Sequence, residues 1–183
     1  MISYRLGRAI ALVLALSAFA QPALAQKSGG TLNLIVQPEP PTINLGINRL
    51  GPVSFVGGKI YEGLVTFTPK LEPKPVLAES WTISPDGLTY TFNLRKGVTW
   101  HDGKPFTSKD ALFSYQKFLP AVFFRSKLVL SEAESITAPD DYTIVFKLKA
   151  PFPGFMQIFE ASGGTIMPAH LYEGVTDYRN APA

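Results

Sequence analysis

Apolar and polar residues alternate most regularly between Trp81 and Trp100. Trp81 and Ile83 alternate with Thr82 and Ser84, and Tyr90, Phe92 and Leu94 alternate with Thr89, Thr91 and Asn93. A period of two is that of a half-buried antiparallel strand. Between the two runs, Pro85-Asp86-Gly87 supplies a turn, with Pro presetting φ and Gly accepting a positive one, so the segment predicts a hairpin. The alternation continues through Val98 and Trp100 until His101-Asp102-Gly103-Lys104-Pro105 breaks it. Thr107 with Asp110 three residues on has the form of a capping box, which opens a helix. Ala111, Leu112, Tyr115, Phe118 and Leu119 then fall on one helical face, predicting a helix over 108–119 that Pro120 ends. A second hairpin is predicted from 135–137 and 142–148 around Pro139-Asp140-Asp141, with Tyr142, Ile144, Phe146 and Leu148 on one face.

Signals elsewhere are weaker. Residues 31–36 alternate well enough to predict a first strand, and the three prolines of 37–42 take the chain out of a sheet, since each removes a backbone donor. Val53, Val56 and Ile60 predict a helix over 53–61, although Gly57 and Gly58 cost about 1 kcal/mol each relative to Ala; Gly63 is placed as its C-terminal cap. Three or four strands fit between Leu64 and Trp100, with Pro69, Pro73 and Pro75 in loops or at edges. A short helix is expected over 154–159, a break at Ser162-Gly163-Gly164, and a last strand over 165–167. Strands, turns and one firm helix in this order predict a mixed α/β (α+β) fold.

Composition agrees with a packed domain: the 183 residues are 46% hydrophobic and 17% charged. Met1 to Ala25 reads as a secretory signal peptide, with Arg5 and Arg8 in a positive start, an apolar run over 9–20, and Ala23-Leu24-Ala25 as the cleavage site. That run is shorter than the roughly 20 residues a bilayer span needs, so the reading is cleavage and not a membrane anchor. Removing two of the 17 basic residues leaves 15 against 14 acidic ones, a formal +1 instead of +3. Nucleic-acid binding then loses its support. With no cysteine there is no disulfide framework and no lipid-accepting thiol, so the product is expected free in a periplasm.

Residues 78–110 form the pattern A-E-S-W, then S-x-D-G-x-T-Y-T-F-x-L-R-x-G-V-x-W-H-D-G-x-P-F-T-x-x-D. This closely resembles the signature of the family 5 solute-binding proteins, the peptide- and dipeptide-type receptors of bacterial ABC importers. Tyr61-Glu62-Gly63-Leu64, the 138–146 hairpin and Met167-Pro168-Ala169-His170-Leu171-Tyr172 resemble flanking parts of the family. The resemblance implies the N-terminal part of a two-lobed periplasmic-binding-protein fold of class II type. Residues 1–25 are then the signal peptide, 26–60 the first segment of lobe one, 61–150 an inserted small α/β domain, and 151–183 a truncated return toward lobe one. The chain stops before the Gly-Thr-Gly-Pro segment usual in the family, which implies that the second lobe is absent.

The resemblance also implies where solute binds. Aligned outward from Glu62-Gly63-Leu64, the loop Asn48, Arg49, Leu50, Gly51 and Pro52 falls where family members meet the ligand, and its backbone could pair with an extended peptide. The plain alternative is an exposed connection with a Gly-Pro turn. Some oligopeptide-binding members carry an acidic residue where Arg49 stands; an arginine instead suits a carboxylate through paired hydrogen bonds. Phe123, Phe124 and Arg125 follow the helix in a region that can offer an aromatic residue, though the local pattern favours one core Phe and a solvated Arg125. Trp81 and Trp100 read as core. His101 or Asp102 with His170 lacks metal-ligand spacing, Asp102-Gly103 reads as turn chemistry and His170 as a surface residue. There is no Gly-x-Ser-x-Gly elbow and no phosphate-cradling loop.

The expectation is therefore a periplasmic substrate-binding component of an ABC importer, not an enzyme, with no cofactor implied. Its partners would be a peptide or other small solute and the inner-membrane permease subunits. The competing expectation is a truncated, non-binding fragment of such a receptor; a third keeps the receptor and changes the solute to an opine, metal chelate, haem or sugar.

Overall fold

The computed structural model describes residues 29–180, so the predicted signal peptide lies outside the described residues. Contacts divide the chain into residues 1–35 and residues 36–183. Of the first unit, 29–35 carry no strand or helix. The strand predicted over 31–36 is thus not formed: a strand needs a partner to take its backbone groups, and none pairs with this segment among the described residues. Its alternating Leu32 and Leu34 are exposed, at 78% and 58%.

In the second unit a four-stranded antiparallel sheet holds β3 (Ala78–Ile83), β4 (Thr89–Leu94), β5 (Ala133–Asp140) and β6 (Thr143–Leu148), in the order β3-β4-β6-β5. The two predicted hairpins are its halves, joined where β4 pairs with β6. Tyr90, Phe92 and Leu94 of β4 and Ile144, Phe146 and Leu148 of β6 are all buried. The edge strands are wetter; Trp81 is half-buried and Ile83 is exposed. A separate ribbon pairs β1 (Val65–Phe67) with β2 (Pro73–Pro75), and the prolines of β2 sit at an edge, where a missing donor costs least.

One helical run packs on the buried face of the sheet: α2 (Ser108–Phe113), a π-helical segment (Ser114–Phe118) and α3 (Leu119–Val122). The capping box forms as predicted, Thr107 accepting from Lys109 N–H and Asp110 accepting from Thr107 N–H. Asp110 and Ser114 also tie the helix to a distant segment, because Asp110 Oδ1 accepts from Ala169 N–H at 2.9 Å and Ser114 Oγ accepts from Met167 N–H at 2.8 Å. Pro120 does not end the run. Leu119 N–H bonds the Ser114 carbonyl five residues back, and this widened turn admits a residue with no donor. The core closes with a 3₁₀ turn (Phe155–Phe159), whose Phe159 ring centre lies 4.4 Å from that of Phe92 and 4.7 Å from that of Phe146.

Other boundaries move for local reasons. Helix α1 is Gly51–Gly57, with Pro52 in its first turn, so Gly51-Pro52 starts a helix where a turn was expected, and Gly58 is the cap in place of Gly63. Two adjacent glycines end it where propensity falls. Gly63 instead permits a close backbone approach, since a Cβ there would stand 2.4 Å from the Phe159 carbonyl oxygen and only glycine lets these segments touch. After α4 (Phe124–Leu130), Ser162, Gly163 and Gly164 do not break the chain but form a helical turn, α5 (Ala161–Gly164), nucleated by the Glu160 carboxylate accepting from Ser162 N–H. The predicted strand at 165–167 is buried but unladdered. Ile166 N–H reaches the Glu62 carbonyl, while Met167 N–H turns to a side chain.

Candidate functional site

Arg49 is held by elements far apart in sequence. The loop before α1 is pinned by Asn48 Oδ1, which accepts from Leu50 N–H, and by Ser54 Oγ, which donates to the Arg49 carbonyl at 3.1 Å. From this loop the Arg49 side chain crosses to α5, where Nη2 donates to the Gly163 carbonyl at 3.2 Å. Ser126 Oγ donates to the same carbonyl at 3.0 Å, so two donors converge on one oxygen. The guanidinium carbon lies 3.5 Å from the centroid of the Phe123 ring, a cation–π stack.

This arrangement lines one side of an open cleft of about 780 Å³, to which Phe67, Phe152, Gln157 and Glu160 also contribute. Arg49 Nε is enclosed with no hydrogen-bond partner. Burial away from water lowers the guanidinium pKa from its usual 12.5 to about 10, with the Glu160 charge opposing the shift and Arg125 adding to it. Arg49 therefore stays charged at neutral pH but is under-solvated. Glu160 gives no ion pair to either arginine among the described residues. Its Oε2 accepts from the Ser162 N–H and hydroxyl. The ionisable lining groups are thus two guanidiniums against one carboxylate.

Of the residues singled out from sequence, Arg49, Phe123 and Arg125 come together in the cleft. Asn48 and Leu50 shape the loop but do not line it, Gly51 opens α1, and Phe124 points away at 79% exposure. Phe123 is half-buried against both the core and Arg49, while Arg125 is exposed on the cleft wall. Glu160, Ser126 and Gly163 carried no local signal; they matter only because the fold brings residues 114 apart into contact. His170 lies at the surface and is paired there: its Nε2 is 2.7 Å from Asp102 Oδ2, stitching the 101–104 turn to the 169–171 turn. Among the described residues no three His, Cys, Asp or Glu side chains gather as a metal site.

A profile of bacterial extracellular solute-binding proteins, family 5 (middle region), matches residues 72–182, more than half of the chain. The chain belongs to this family. Among curated relatives, one of Sinorhizobium fredii, named as a probable peptide ABC transporter periplasmic-binding protein, is 32% identical over 136 residues, 69% of this chain and 25% of its own length. Among solved structures, the Haemophilus influenzae oligopeptide-binding protein in complex with the peptide RPPGFSPFR superposes with a TM-score of 0.64 at 28% identity, covering 76% of this chain and 31% of that one. The Agrobacterium periplasmic binding protein AgaA in complex with agropinic acid gives 0.66 at 29% identity, covering 79% and 30%. The chain thus spans about a quarter to a third of the proteins it matches. The mixed α/β architecture is that of the family's periplasmic-binding-protein structures.

Proposed function

We propose that the chain is the N-terminal part of a periplasmic receptor of an ABC importer, which captures a peptide or similar small solute and passes it to an inner-membrane permease. The observation that carries this reading is the cleft in which Arg49, Phe123 and Arg125 converge on a family 5 frame. Capture is noncovalent. The pocket supplies aromatic surface and fixed charge, and calls for no bond-making group or cofactor. Delivery to the periplasm would follow cleavage of the signal segment after Ala25. Division into lobe-one segments at 26–60 and 151–183 around a small domain at 61–150 belongs to the same reading.

The test is thermal unfolding of the protein, freed of ligand, against a panel of short peptides and small organic acids. A ligand at a hundred times its Kd should add about 2.7 kcal/mol of stability. A panel that leaves the midpoint unmoved counts against the receptor and for a non-binding fragment.

A further inference from the structure

Building on the receptor reading, we infer that the cleft selects solutes carrying a free carboxylate, with Arg49 as a fixed plate and Arg125 as the arm that closes on the anion. Three independent observations converge on this chemistry. The Arg49 guanidinium is immobilised before any ligand arrives, between the Phe123 ring on its face and the Gly163 carbonyl at Nη2. Its Nε is enclosed and unbonded, and among the described residues Nη1 is neither bonded nor enclosed, so Nη1 is the donor left open to an acceptor. Preorganisation of this kind spares the ordering cost of a long side chain on binding.

Arg125 supplies the second cation. It is exposed on the same cleft wall, is close enough to Arg49 to depress its proton affinity, and has no ion-pair partner among the described residues. Two guanidiniums facing one cleft repel each other, and an anion between them relieves that repulsion while restoring the solvation Arg49 has lost. The single carboxylate of the lining, Glu160, has its Oε2 held by Ser162, and against the two guanidiniums it leaves the ionisable lining net positive. Phe123 and Phe152 leave apolar surface beside the charge for the body of the solute. A solute whose only charge is positive meets the wrong sign here. A peptide C-terminus and a free organic acid both offer the carboxylate, and the cleft chemistry is common to the two.

Isothermal titration of the full chain decides it with four probes: tri-alanine, tri-alanine amide, N-acetyl-tri-alanine and glutarate. Tri-alanine and its acetylated form should bind alike, and the amide about tenfold or more weakly, the scale of one lost charge-assisted pair. Arg125→Gln should erase most of that difference with the unfolding midpoint unchanged, which avoids reliance on the more deeply built Arg49. Glu160→Gln should strengthen the acids. Binding of glutarate without tri-alanine upholds carboxylate selection and assigns a free acid as its source. Equal binding of acid and amide, or an acid preference that survives Arg125→Gln, overturns this inference and leaves the receptor intact. Binding of no probe overturns both.

Discussion

The guanidinium carbon of Arg49 sits over the ring of Phe123, 3.5 Å from its centroid, although 74 positions separate them in the chain. The stack holds an under-solvated cation in one orientation. Phe123→Leu keeps the apolar bulk and removes the ring's negative face. A cation–π contact of about 0.5–2 kcal/mol then predicts a roughly two- to thirty-fold loss of affinity for tri-alanine by titration calorimetry. A fall in the unfolding midpoint with affinity unchanged would make Phe123 a packing residue only.

Asp110 serves two donors with one carboxylate, accepting from Thr107 N–H at 2.9 Å and from Ala169 N–H at 2.9 Å while only 5% exposed. Asp110→Ala leaves both donors short of a partner and should cost about 2–4 kcal/mol in denaturant unfolding. Thr107→Ala removes a cap acceptor alone and should cost about 1 kcal/mol. Equal costs would mean that the Ala169 bond contributes nothing.

These two cases mark what the sequence reveals. The capping box is local, and so are β4 and β6, whose every second side chain enters the core. Edge strand β3 reads less clearly because Ile83 alternates correctly yet stays in water. Pro120 misleads because a widened turn, whose Tyr115 and Phe118 are buried in the core, accommodates it, and no residue preference signals such a turn. The residues 31–36 carry a strand pattern whose realisation depends on a partner. In the cleft, Arg49, Phe123 and Arg125 are found through family position, whereas Glu160 and Gly163 act through a long-range approach that no spacing rule encodes.

Glycines separate into contact-bound and free ones. A Cβ on Gly164 would fall 2.0 Å from the Ile158 carbonyl oxygen and 2.9 Å from the Tyr115 hydroxyl, whereas one on Gly51 would meet nothing within 4 Å. Tyr115 is fully buried, and its hydroxyl donates to the Gly164 carbonyl at 3.3 Å, so the backbone there has little room to retreat. Gly164→Ala should destabilise by about 1–3 kcal/mol, as overpacked sites do, while Gly51→Ala should be neutral or slightly stabilising through helix propensity. Thermal melts of the two variants side by side check the contrast.

Acid should weaken the fold through its turns. The Asp86 carboxyl is held below its usual range by the Ser84 hydroxyl and then by Leu88 N–H, Asp102 by Lys104 N–H and then His170, and Asp140 by Tyr142 N–H and then the Thr143 hydroxyl. A carboxyl with a depressed folded pKa binds its proton first in the unfolded chain. Its contribution is therefore complete above the unfolded value of 3.8 and is lost as pH falls through the lower folded one. The urea midpoint should be flat on this account from about pH 7 to pH 5 and decline below about pH 4. Because hydrogen bonds and not charge pairs lead in all three, the decline should persist at 1 M salt, where the Debye length is about 3 Å and bare charge attraction is screened. Asp86→Asn should flatten the decline by that group's share; an unaltered slope in this variant would show that the Ser84 turn does not prefer the ionised carboxyl.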